Sequence, residues 1–183
     1  MLRPYVADEV GVVHSPTPAA QPGPTSADTD DRLSDELTSV VAGARRRAVR
    51  DGDGQIDTAH LLHSLLESDP AVREVFRGGD QVARLLGYLV QRTIGYGLQW
   101  QGTVEDSGAV PVVREAAGWS PAAATAMEAA LERAVRRGEQ RAAGIDLLAA
   151  LARDSECRAV DVLCRAGVDP EALALRIEQG PQG

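Results

Sequence analysis

Lysine is absent, since all 19 basic residues are arginine. That excludes a Walker A phosphate loop, whose lysine holds the nucleotide phosphates, and any Schiff-base mechanism. Aromatic residues make up only 3% of the 183 positions. Strands are usually rich in aromatic and β-branched side chains, so a β-sandwich is disfavoured. The two cysteines, Cys157 and Cys164, are too few for a disulfide framework. They read as small apolar side chains on one helix in a reducing cytoplasm. No stretch approaches the roughly 20 apolar residues of a membrane span. Met1-Leu2-Arg3-Pro4-Tyr5 lacks the apolar core of a signal peptide. The expectation is a soluble cytoplasmic protein. A net charge of −8 argues against general affinity for nucleic acid or anionic membrane. No Gly-x-Ser-x-Gly, nucleophile-spaced Cys/His pair or catalytic acid pair is found, so neither an enzyme nor a cofactor is expected.

Leucine, alanine and valine dominate what is present, a mix that favours helices. Residues 1–30 form a tail too rich in proline and polar residues to bury a core, as in His14-Ser15-Pro16-Thr17-Pro18. From Ser34, apolar residues fall at Leu37, Val40, Val41, Ala44 and Ala48, one stripe of an amphipathic helix that stops at Asp51-Gly52-Asp53-Gly54. A second helix starts at Asp57 or Thr58 and presents Leu61, Leu62, Leu65 and Leu66. Pro70 opens a short third helix, Ala71–Arg77, and Asp80 is expected to cap a fourth.

After a connector at 95–118, with a short extended piece expected at Ala109–Val113, the pattern restarts. Ser120-Pro121 is an N-cap followed by proline at the first helical position. Ala123, Ala126, Met127, Ala130 and Ala134 repeat the first stripe position by position. Gly138 matches Gly52, and Leu147, Leu148 and Leu151 match Leu61, Leu62 and Leu65. About ten of roughly 34 aligned residues are identical, the self-similarity of duplicated units. Asp169-Pro170 opens the eighth helix. Each repeat is four helices with one apolar face that it cannot hide alone. The expectation is therefore an all-α fold, with two pseudo-symmetric four-helix repeats (33–94 and 119–179) packed as one domain over 31–183.

Trp119-Ser120-Pro121-Ala122-Ala123, Leu33-Ser34-Asp35-Glu36-Leu37, Asp57-Thr58-Ala59-His60-Leu61-Leu62 and Ala166-Gly167-Val168-Asp169 resemble, in order and spacing, motifs of one family. That family is the N-terminal repeat domain of the Clp (Hsp100) protease ATPases. The resemblance covers about Leu33 to Gln179 and implies a double Clp-N motif. It also implies a platform that receives adaptors and substrates for an ATPase ring. The chain ends where the first ATPase module would begin. The resemblance thus implies a stand-alone binding protein that modulates Clp-dependent proteolysis or sequesters its ligands. The ligands so implied are peptides, adaptor or substrate proteins, and cyclic-peptide antibiotics that dock on the ATPase. In some members a Glu in each Gly-Thr-Glu-His motif binds phosphoarginine. Those positions are Ala59 and Ile145 here, and neither supplies a carboxylate for a guanidinium-linked group. The His of the second motif is replaced by Asp146.

Expected partner-facing residues are Leu33 and Trp119, at the two repeat starts, and Arg45, Arg46 and Arg133, in basic clusters near equivalent helix ends. Asp51-Gly52-Asp53-Gly54-Gln55-Ile56-Asp57 resembles the middle of an EF-hand loop, which gives the alternative of a Ca²⁺-responsive helical protein. Aligned to such a loop, the first position is Val49 and the twelfth is His60, so the first ligand and the bidentate Glu are missing. A polar turn is the better reading, and no metal is expected. His60 and His63 lie three apart, which is not zincin spacing, and read as capping or packing residues.

Overall fold

The computed structural model describes residues 30–92, Glu105 and 118–180. The expected extended piece at Ala109–Val113, Trp100 and nearly all of the tail lie outside the described residues. Among the described residues there are eight helices and no strand of a sheet. They are α1 (Asp35–Asp51), α2 (Thr58–Ser68), α3 (Pro70–Glu74) and α4 (Gly79–Gln91) in the first repeat. The second holds α5 (Pro121–Arg136), α6 (Gly144–Arg153), α7 (Arg158–Arg165) and α8 (Pro170–Gln179).

Local chemistry sets the boundaries. Ser34 Oγ accepts from Leu37 N (3.1 Å) and Ser120 Oγ from Ala123 N (3.1 Å), so α1 and α5 start with the same cap. α1 ends at Gly52, whose φ of 73° is left-handed, and Gly138 repeats this at 77° after α5. Asp69 and Asp169 cap α3 and α8, each followed by a proline. α3 is shorter than its sequence pattern, ending at Glu74 with Phe76 buried just beyond. Asp80 does not cap α4. The N-cap position is Gly78, and Asp80 lies in the first turn, where its charge still favours the helix end.

The expected stripe of α1 is buried throughout: Leu37, Val40, Val41, Ala44 and Ala48. α2 and α6 form the centre. Every residue of α2 from Thr58 to Leu66 is buried, and only the last two, Glu67 and Ser68, are exposed. α1 packs on α2 and α5 on α6, and α2 and α6 touch each other.

The repeats are also stitched by their backbones. Leu33 pairs in parallel with Ala142, and Ile56 with Trp119. Ser34 N–H donates to Ala142 O (2.9 Å) and Ala142 N–H to Arg32 O (2.8 Å). Ser120 N–H donates to Ile56 O (2.8 Å) and Ile56 N–H to Gly118 O (2.8 Å). Shifting by one repeat turns the first set into the second. Each repeat thus lends its first residues to the helix–helix turn of the other, which is how a self-complementary interface is built.

Candidate functional site

A helix buried from Thr58 to Leu66 needs internal partners for the polar groups at its start. That requirement assembles a polar junction where the N-termini of α2 and α7 face each other. Two positive helix ends in contact call for negative charge. Glu105, from the segment between the repeats, supplies it and is 5% exposed. Its Oε2 accepts from Thr58 N (2.8 Å) and Ser120 Oγ (2.9 Å). Its Oε1 accepts from Arg158 N (2.7 Å) and from the Thr58 hydroxyl. Thr58 Oγ1 in turn accepts from Ala159 N (3.0 Å). The N-cap of α7 is Cys157, which makes no side-chain cap, so Glu105 does that work from elsewhere in the chain. Burial pushes the Cys157 thiol up to about 12, and the nearby carboxylates Glu105 and Asp154 add to the rise.

The equivalent junction of the other repeat pairs the N-termini of α6 and α3. Asp69 provides the negative charge there. A Cβ on Gly144 would sit 2.1 Å from Asp69 Oδ2 and 3.1 Å from Leu65 Cδ2, so only glycine fits at that position.

Beside Glu105, Asp57 and His60 close a capping box: Asp57 Oδ1 accepts from His60 N (2.8 Å), and Asp57 N lies 3.1 Å from His60 Nδ1. The Asp57 carboxylate also meets Arg158 Nη1 (2.7 Å) and the Arg92 guanidinium. Burial alone would raise the Asp57 pKa. The hydrogen bond and charge of the His60 ring, the charge of Arg92 and the His60 N–H outweigh it, holding the carboxyl well below its ordinary value. With its carboxylate committed to two arginines and buried, Asp57 does not face the Asp51–Asp57 turn as a Ca²⁺ ligand, and the calcium alternative loses its third acid.

In the second repeat Asp146 stands in place of His60. It is fully buried, accepts from Ala143 N (2.9 Å) and Arg137 Nη2 (2.8 Å), and pairs with Arg133. His63 lies 3.4 Å from Glu67, which pairs with Arg47. His60 thus caps α2, and His63 is buried beside Glu67.

The expected partner-facing residues separate. Arg45 and Arg46 are exposed on α1. Trp119 is half-buried, packed against the core beside the Ile56 bridge. Two others are not at the surface. Leu33 is 2% exposed, because its backbone pairing with Ala142 draws the side chain into the core. Arg133 is 6% exposed, held by Asp146, Glu178 and the Ile177 carbonyl. Ala59 is fully buried and Ile145 packs partly against the core. Sequence reading missed Glu105, and the only signal for it was a helix start at Cys157 lacking a capping side chain.

Comparison with solved structures decides the architecture. The crystal structure of the N-terminal domain of the caseinolytic-protease-associated chaperone ClpD from Arabidopsis thaliana superposes with a TM-score of 0.58 at 18% identity, over 85% of this chain and 97% of that one. The chain has a Clp N-terminal-like fold. A second structure with this fold, described as a preliminary structural investigation of a malarial protein secretion system, has a TM-score of 0.57 at 15% identity, over 81% of this chain and 93% of that one. Neither known protein-family models nor curated proteins gave a match. No helix among the described residues is long and apolar enough to cross a membrane.

Proposed function

We propose that this chain is a non-catalytic cytoplasmic docking domain. It binds peptide segments, adaptors or substrates of a Clp protease system and so modulates proteolysis or sequesters those ligands. The observation that carries this reading is the Clp N-terminal-like fold over most of the chain. Two features of the surface support it. Arg45 and Arg46 offer an exposed cationic face to an acidic partner. Trp119, half-buried at the seam between the repeats, is the kind of aromatic that anchors an interface. Phosphoarginine recognition through motif carboxylates is not part of the proposal, since Ala59 and Ile145 stand at those positions. Cyclic peptides that dock on Clp ATPases remain candidate ligands.

The test is affinity capture from the source cell, with the intact chain as bait, read by quantitative mass spectrometry. Clp components, their adaptors or their substrates should be enriched, and the enrichment should fall with Arg45→Glu/Arg46→Glu and with Trp119→Ala. Enrichment of none of them would overturn the reading.

A further inference from the structure

Buried polar nitrogens are nearly always hydrogen-bonded. His60 Nε2 is buried and makes no well-aligned hydrogen bond. The side chain is 1% exposed, and Nε2 is aimed into the turn between α1 and α2, where Asp53 Oδ2 lies at 3.1 Å and Asp51 Oδ2 at 3.6 Å. Ligand-type atoms of the three residues lie within 4.8 Å of one another. We propose that Asp51, Asp53 and His60 form a binding site for a divalent transition-metal ion of the Zn²⁺ class.

The other side of the imidazole is arranged for this role. Nδ1 lies 2.9 Å from Asp57 Oδ1, and Asp57 is itself anchored by Arg92 and Arg158. A proton on Nδ1 given to Asp57 leaves the lone pair on Nε2, which is the carboxylate–imidazole–metal relay that fixes a ligating histidine. The alternative tautomer has the Asp57 N–H donating to Nδ1. Metal loading exchanges the second arrangement for the first.

The duplication gives an independent view of the same place. The counterparts of Asp51 and His60 in the second repeat are Arg137 and Asp146, joined at 2.8 Å. A guanidinium therefore provides the positive charge at this position in one repeat. In the other, an acid replaces the arginine, and two carboxylates converge on an imidazole.

The donor set names the ion class. Ca²⁺ and Mg²⁺ take oxygen ligands, whereas one imidazole with two carboxylates suits Zn²⁺ and its neighbours, with water completing the tetrahedron. The side chain of Asp53 is 37% exposed, so solvent reaches that side. Arg92 Nη2, 3.2 Å from Asp53 Oδ2, competes for that carboxylate and retains Asp57 when metal binds. Bound metal ties the C-terminal end of α1 to the first turn of α2.

The experiment uses the full chain with Zn²⁺ alone by calorimetry, and with Co²⁺ by visible d–d absorption. One ion should bind per chain and raise the melting temperature. Asp53→Asn and Asp51→Asn should each weaken Zn²⁺ at least about tenfold while the far-ultraviolet circular dichroism is unchanged. These variants are preferred to His60 substitutions, which also remove a cap of α2. The proposal is overturned if Zn²⁺ does not bind, if both variants bind it as the parent does, or if Ca²⁺ binds more tightly than Zn²⁺.

Discussion

Replacing Glu105 by alanine should unlock the junction between α2 and α7. Its carboxylate takes four donors: two main-chain N–H groups at helix starts, Thr58 and Arg158, and the hydroxyls of Thr58 and Ser120. A hydrogen bond to a charged group contributes about 1.5–3 kcal/mol, so simple addition gives roughly 6–12 kcal/mol. That total is too large, because the four share one carboxylate and are not independent. Both hydroxyls also keep a second partner: Thr58 Oγ1 accepts from Ala159 N, and Ser120 Oγ from Ala123 N. Water can enter the space left and serve the two N–H groups at a cost of about 0–2 kcal/mol. The net expectation is a loss of about 3 kcal/mol, a large share of the roughly 5–15 kcal/mol that holds a domain folded. Glu105→Gln should lose nearly as much, because its amide NH₂ must face groups that also donate. Urea denaturation followed by circular dichroism measures both. A double-mutant cycle with Thr58→Val should show a coupling of about 0.5–3 kcal/mol between the two sites. Losses below about 0.5 kcal/mol for both variants, the usual range for surface substitutions, would refute the reasoning.

Gly144→Ala should destabilise the chain by about 1–3 kcal/mol, the usual cost of overpacking. The new methyl meets Asp69 Oδ2, and that carboxylate cannot swing away without releasing Ala71 N and Val72 N, which it caps. Thermal melts of the variant provide the check. Thiol labelling at pH 8 should modify the exposed Cys164 and spare Cys157 in the native state, because the buried thiol is pushed up to about 12; equal rates would count against the packed junction. Burial, with the charge of Arg47, pushes His63 down to about 4 from an ordinary 6.5. Between those values the unfolded chain holds the extra proton, so stability should fall as pH drops through this window and level off below it. A His63→Gln variant with the same slope over that window would contradict this assignment.

The helices were legible because their signals are local. Ser34, Ser120, Asp69 and Asp169 announce helix starts within a few residues of the groups they cap, and the stripe from Leu37 to Ala48 declares its buried face by spacing alone. The junctions were not legible, because their partners are remote. Asp57 is neutralised by Arg92, 35 residues away, and Arg158, 101 away, while Thr58 meets Glu105 across 47. The arginines show the same limit at closer range. Arg46 and Arg133 belong to similar basic clusters near equivalent helix ends, yet one is exposed and the other is buried against Asp146. The alignment does register Arg133 with Arg47, which is paired with Glu67, so the duplication held the better clue: a position kept as arginine in both copies, where each copy pairs it with an acid on another helix. Some identities between the repeats mark positions that both copies bury, such as Ala44 with Ala130 and Leu61 with Leu147, while Val49 and Val135 are identical and exposed. The differences between them, Arg137 with Asp146 against Asp51 with His60, and Gly144 against Thr58, mark where the copies have taken on separate chemistry.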